Sequence, residues 1–131
     1  MSHELTPSSS QIIELLEQDK LTTLIKPLVK EILLFETYIA GTSYIQDQHL
    51  FEQLQIGEHL YLIRESGNTY DEKAIIITNK NKQKLGYIPK KDNIIFSRLL
   101  DAGKLLSATI KDIKKEKNYY RITININLID F

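Results

Sequence analysis

The apolar residues in the first quarter of the chain recur at the spacing of amphipathic helices. Gln11 follows Ser8 by three residues, which is typical of a capping box at a helix start. Pro27 is compatible only with the beginning of a second helix. The two apolar groups are Ile12, Ile13, Leu15 and Leu16, followed by Leu24, Ile25, Leu28, Val29, Ile32 and Leu33. The pattern predicts a helical extension over residues 1–33, which packs on the rest of the chain or pairs with a second copy.

From about Leu34 the apolar period changes from that of helices to that of strands. The predicted strands are Phe35–Ala40, His59–Arg64, Lys73–Thr78, Leu85–Ile88, Leu105–Ile113 and Tyr119–Ile129. The last strand alternates most clearly, with Ile122, Ile124, Ile126 and Leu128 on one face and Arg121, Thr123, Asn125 and Asn127 on the other. The aliphatic face of this strand is therefore predicted to line a core.

One clear helix is predicted near Lys91–Ala102, where Pro89 suits the first turn and Gly103 the position after the end. Its apolar stripe consists of Ile94, Ile95, Leu99 and Leu100. A second short helix at Gln48–Gln53 is weakly indicated. Short strands with one crossover helix favour a mainly β fold, a closed or nearly closed small barrel over residues 34–131.

Composition narrows the choice of function. The 131 residues suffice for one domain, and the absence of cysteine excludes disulfides, thiolate metal sites and a cysteine nucleophile. No apolar stretch is long enough to cross a bilayer, and the first residues lack the pattern of a signal peptide. We therefore expect a cytoplasmic protein that does not contact membranes.

The zero net charge hides an asymmetry between the two halves of the chain. Residues 1–65 carry 4 Lys or Arg and 10 Asp or Glu, whereas residues 66–131 carry 13 and 7. The second half could offer a positive face to phosphate groups. Alternatively, its lysines solubilise two turns; these are Lys80, Lys82 and Lys84, and then Lys114, Lys115 and Lys117.

The usual signatures of enzymes do not occur in the sequence. His3, His49 and His59 have no metal-ligand spacing, and no serine lies in a nucleophile elbow. Asp71 and Glu72 are adjacent, so in an extended segment their carboxylates point to opposite sides. We expect no catalytic residue, no metal and no cofactor.

The segment Arg64–Ile75 has the highest local density of residues suited to binding. Tyr70 can stack on a base or bury its ring in the barrel. Asn68 and Asp71 can bind base edges or a sugar hydroxyl, or they can hydrogen-bond the backbone of their own loop. The residue pattern leaves both alternatives open.

Four segments resemble the HIRAN domain family in order and spacing. They are Ala40–Tyr44, Arg64–Ile75, Leu85–Lys90 and Leu99–Gly103, within a match that covers about Phe35–Phe131. The resemblance implies an OB-like or SH3-like β-barrel of about six strands. It further implies a module that holds the 3′ end of single-stranded DNA in repair or replication-fork processing.

The resemblance also implies roles for six residues. Tyr44 and Tyr70 would stack on terminal bases, Asn68 and Asp71 would make polar contacts, and Lys90 would hold a phosphate with Tyr87 beside it. In the family, the acid that corresponds to Asp71 contacts the terminal 3′-hydroxyl.

The chain departs from the family at two positions. Thr69 replaces the usual Pro, and Ser43 replaces a basic residue, so the positive charge is expected to come from Lys73, Lys90 and Lys91 instead. The leading prediction is a DNA-binding module, with RNA left open. The alternative is a protein-interaction or regulatory domain that acts through the N-terminal helices.

Overall fold

The computed structural model describes residues 30–130, which form a six-stranded sheet and three short helices. The strands are β1 (Lys30–Tyr38), β2 (His59–Arg64), β3 (Ile75–Thr78), β4 (Lys84–Tyr87), β5 (Leu105–Lys115) and β6 (Tyr120–Asp130). The helices are a 3-10 turn (Thr42–Tyr44), α1 (His49–Glu52) and α2 (Asn93–Asp101). A mainly β fold with about six strands is thereby confirmed.

All strand pairings are antiparallel, and the strand order is β1-β6-β5-β2-β3-β4. The sheet curls so that its two ends approach each other after β1. There the backbone N–H of Ala40 donates to the carbonyl of Tyr87 at 2.8 Å, and that of Tyr87 donates to Ala40 at 2.9 Å. This bridge links the two ends without a continuous ladder of hydrogen bonds. The sheet therefore approaches a barrel but does not close into one.

The core lies inside the curl and follows the alternation predicted for β6. Ile122, Ile124 and Ile126 are fully buried, whereas Leu128 is only partly buried. Each isoleucine contributes about 1.5–3 kcal/mol by leaving water. They pack with fully buried residues of the other strands, among them Leu60, Ile75, Ile77, Leu85, Leu106 and Ile110.

The helix predicted as far as Leu33 is wrong for its last four residues. Lys30–Leu33 belong to β1, where they pair with Asn127–Asp130 of β6. Pairing with β6 satisfies the backbone groups on one side of this short run, whose periodicity alone does not distinguish helix from strand. The remainder of the predicted extension lies outside the described residues, and the domain boundary at residue 34 stays a prediction.

The other predicted elements shift only at their ends. Strand β2 has the predicted bounds, whereas β3 begins at Ile75 because the N–H groups of Lys73 and Ala74 both bond to Asp71. Helix α2 is shorter than Lys91–Ala102 by a residue or two at each end. Within residues 30–130, no helix is long and apolar enough to span a membrane.

Gly86 makes the approach of β1 and β4 possible. A Cβ atom at this position would lie 2.3 Å from the carbonyl oxygen of Ala40 and 2.6 Å from Cγ2 of Ile39. Since the first of these atoms is backbone, it cannot rotate away. A larger residue would push Ala40 from Tyr87.

We expect Gly86→Ala to lower the free energy of unfolding by about 1–3 kcal/mol, the usual effect of overpacking. Chemical denaturation monitored by circular dichroism measures this value. Gly67→Ala is the matched control, because a Cβ at Gly67 meets nothing within 4 Å. Equal stability of the two variants would contradict the role assigned to Gly86.

Candidate functional site

The loop between β2 and β3 is held in place by Arg64. Its Nη1 donates to the carbonyl of Ala74 at 2.8 Å, and its Nη2 donates to that of Glu72 at 2.9 Å. Its Nε donates to the carboxylate of Asp101 in α2 at 2.9 Å, a bond that lowers the pKa of Asp101. Arg64 therefore fastens both the end of the loop and the neighbouring helix.

Asn68 organises the centre of this loop. Its Oδ1 accepts the backbone N–H groups of Tyr70 and Asp71 at 2.8 and 2.9 Å, and its Nδ2 donates to Glu65 at 2.7 Å. This is the loop-building arrangement left open by the sequence. One amide hydrogen of Asn68 is not used in these bonds.

The Asp71 carboxylate is fixed by two hydrogen bonds. Oδ1 accepts the backbone N–H of Lys73 at 2.9 Å, and Oδ2 accepts Nδ2 of the buried Asn93 at 2.7 Å. The bond from Lys73 lowers the pKa of Asp71 below its ordinary value of 3.8, and Asn93, Lys90 and Arg64 act in the same direction. Asp71 is thus an oriented anion near neutral pH.

Tyr87 joins β4 to the same loop. Its hydroxyl donates to Glu65 at 3.0 Å and accepts Nζ of Lys84 at 2.7 Å. The Lys84 ammonium also lies 4.2 Å from the centre of the Tyr87 ring. Since Glu65 also accepts a hydrogen bond from Asn68, the carboxylate of Glu65 connects β4 with the loop.

These elements surround a concave pocket of about 250 Å³. Five of the six residues singled out from the sequence line it: Asn68, Tyr70, Asp71, Tyr87 and Lys90. The Tyr70 ring is 93% exposed, so it does not belong to the core. Lys90 is exposed and close enough to Asp71 to lower its pKa.

Tyr44 is not among the residues that line this pocket. It ends the 3-10 turn that follows Gly41 and is 88% exposed. The turn lies beside the pocket because Ala40, four residues before Tyr44, forms part of the pocket wall.

The sequence analysis did not identify Asn93 as a site residue. Its side chain lies at the first turn of α2 and is buried against Asp71. No local pattern around Asn93 indicates this role, which depends on the contact of α2 with the loop. Within the described part of the chain, no group of three or more His, Asp or Glu side chains could hold a metal ion.

The curled sheet and its pocket define a small β domain with a preformed concave pocket. The HIRAN domain model matches residues 32–129, and the chain belongs to this family.

A structural-genomics target from Lactobacillus plantarum shares 26% identity with a TM-score of 0.73, over 79% of this chain and 99% of that one. The HIRAN domain of human HLTF has the same fold, with 16% identity and a TM-score of 0.61 over 76% and 79% of the two chains. A Fanconi-associated nuclease 1 homolog from Arabidopsis thaliana is 31% identical over 84 residues, which are 63% of this chain and 9% of that protein.

We expect Arg64→Ala to lower the free energy of unfolding by about 1–3 kcal/mol, because the carbonyls of Ala74 and Glu72 and the carboxylate of Asp101 lose a charged donor. Arg64→Lys should restore little of the lost stability, since one ammonium group cannot reproduce the several N–H donors of a planar guanidinium. Hydrogen exchange should quicken at the N–H of Glu65, which bonds to Ala74. Arg98→Ala, an exposed position on α2, is the control. Unchanged exchange at Glu65 would refute the bracing role.

Proposed function

We propose that this domain is a binding module for the free 3′ end of single-stranded DNA. One observation carries the proposal: a single pocket combines an exposed aromatic ring, an oriented carboxylate and a lysine. Its volume of about 250 Å³ lies just below the range of roughly 300–1,000 Å³ for small-molecule sites. Such a pocket suits a ligand of which only the terminal unit is enclosed.

Tyr70 supplies the stacking surface. Its ring is outside the core, while Asn68 holds its backbone N–H, so the residue is presented by a fixed loop. An aromatic ring in this setting contributes about 1–3 kcal/mol per stacked base. Tyr44, on the neighbouring turn, offers a second exposed ring.

Asp71 recognises the terminal hydroxyl. Each carboxylate oxygen has a lone pair beyond the one used by Lys73 or Asn93, so it can accept a hydrogen bond from a hydroxyl group. The same negative charge repels a terminal phosphate. Lys90 contacts the phosphate that links the last two nucleotides.

The match to part of a protein named as a nuclease supports a nucleic-acid partner. A module that recognises free ends would serve DNA repair or replication-fork processing. In this role the domain binds DNA and does not catalyse a reaction. Its proposed location is the cytoplasm.

We expect fluorescence anisotropy to show binding of labelled single-stranded DNA that weakens as salt rises. Tyr70→Ala should cost about 1–3 kcal/mol of binding free energy, while Tyr70→Phe, which keeps the ring, should bind as the wild type does. Lys90→Ala should weaken all sequences alike and reduce the salt dependence. Lys80→Ala is the charge control, since Lys80 lines a different surface, beside Gly57 and Glu58. Binding that is indifferent to Tyr70→Ala would rule out the stacking role.

We expect the wild type to prefer a 3′-hydroxyl oligonucleotide over the same oligonucleotide with a 3′-phosphate. Asp71→Asn should reduce this preference, because the variant lacks the charge that repels phosphate. Glu72→Gln makes the same change of charge at the next, exposed residue and should leave the preference intact. Equal affinity of the wild type for the two ends would disprove 3′-hydroxyl recognition.

A second candidate function is protein interaction. Strand β1 lies at one end of the strand order, and four consecutive apolar residues, Ile32 to Phe35, are exposed there. Such a surface favours contact with residues 1–29, with a second copy in a homodimer, or with another protein. The absence of any oligonucleotide binding in the titrations above would favour this candidate.

A further inference from the structure

A second, larger cavity lies directly beside the pocket. Its volume is about 580 Å³, within the usual range of roughly 300–1,000 Å³ for ligand sites. Ala40 lines both openings. Because Ala40 is fixed to Tyr87 by two backbone bonds, the two cavities are held at a constant distance from each other.

The wall of this cavity comes from the face of the sheet opposite the core. Tyr120, Ile122 and Ile124 of β6 are buried, so Arg121 points away from the core. Tyr119 lies in the turn directly before β6 and is partly exposed. Tyr38 of β1 pairs with Thr123 and belongs to the same outer face. Strand alternation therefore places Tyr38 and Arg121 at one opening, which Tyr119 lines from the turn before β6.

The two rings are available for contact with a ligand. Tyr38 and Tyr119 are 42% and 44% exposed, whereas the intervening Tyr120 is buried and stacks on Phe51 at 5.3 Å. The floor is fixed by Thr42, whose hydroxyl donates to the carbonyl of Tyr120 at 2.7 Å. The cavity is thus formed in advance, and its rings need not leave the core to contact a ligand.

Arg121 supplies the positive charge beside the rings, because Lys91, the other nearby cation, is paired with Asp92 at 3.4 Å. Arg121 is exposed at the cavity wall, and the Lys91 ammonium lies 5.7 Å from the centre of the Tyr38 ring. Half-exposed aromatic rings with an adjacent arginine are the combination by which proteins hold single-stranded nucleic acid. Arginine also binds phosphate oxygens in two-point contacts.

We propose that this second cavity is the subsite for the nucleotides that precede the last two in the same strand. Tyr38 and Tyr119 stack on bases, and Arg121 contacts a backbone phosphate. The proposal rests on the function proposed above, because the strand enters from the pocket that contains Asp71. Neither tyrosine nor Arg121 was identified as a binding residue from the sequence.

Two oligonucleotides that both end in a free 3′-hydroxyl test this subsite. One is a dinucleotide, and the other has about eight nucleotides, within the roughly 4–16 that one OB fold occupies. Tyr119→Ala should weaken binding of the longer strand roughly 5- to 100-fold and leave the dinucleotide unaffected. Arg121→Ala should lower the slope of log affinity against log salt by about 0.7 for the longer strand only.

The controls separate chemistry from folding. Tyr119→Phe retains the ring and Arg121→Lys retains the charge, so both should bind the longer strand nearly as the wild type does. Lys80→Ala removes a charge elsewhere on the surface. Tyr70→Ala should weaken binding of both oligonucleotides, because its ring lies at the end pocket. Melting curves of all variants verify that each one folds.

The outcomes distinguish the two proposals. If the wild type prefers a 3′-hydroxyl but Tyr119→Ala and Arg121→Ala bind the longer strand normally, the second subsite is wrong and the end pocket stands. If the wild type shows no preference for a free 3′ end, the proposed function fails and the subsite falls with it. Equal weakening of dinucleotide and longer strand by Tyr119→Ala also overturns the subsite.

Discussion

The pairing of Ala40 with Tyr87 is the contact on which the arrangement of this domain depends. It joins the two ends of the strand order with only two backbone hydrogen bonds. Three segments distant in the chain meet there: the turn after β1, the loop between β2 and β3, and the connection from β4 to α2. The two cavities lie on either side of this bridge, so their relative position is determined by backbone geometry and not by flexible side chains.

The loop with Asn68 and Asp71 shows how polar side chains order a segment that lacks regular secondary structure. Arg64, Glu65, Asn68 and Asp71 satisfy one another or nearby backbone groups, and Asn93 completes the set from α2. Since these bonds exist before any ligand arrives, binding does not have to order the loop, and the entropic cost of association is smaller. Loop building and ligand binding are therefore compatible roles for the same residues.

The sequence predicts the elements better than their assembly. The bounds of β2 and the buried face of β6 follow from β-branched residues at period two, and the structure confirms them. Lys30–Leu33 were wrongly assigned to a helix, because so short a run fits helix and strand equally until its partner strand is known. The bridge between Ala40 and Tyr87 leaves no local pattern at all, apart from a glycine at position 86.

The site divides in the same way. The resemblance predicted six binding residues, and five of them line one pocket. Asn93 joins that pocket, and Tyr119 and Arg121 line the larger cavity, only through tertiary contacts and the course of β6. Nothing within a few residues of each indicates a binding role. Such positions become visible only when the register of β1 and β6 is known.

The exposure of Tyr70 affects how freely this surface can accept substitutions during evolution. The ring contributes almost nothing to the core, since 93% of the residue's surface is accessible, while its backbone is held by Asn68. Replacement at position 70 is thus nearly neutral for folding, although it changes the wall of the pocket. The surface of the pocket can therefore change at this position without a compensating change in the interior of the domain.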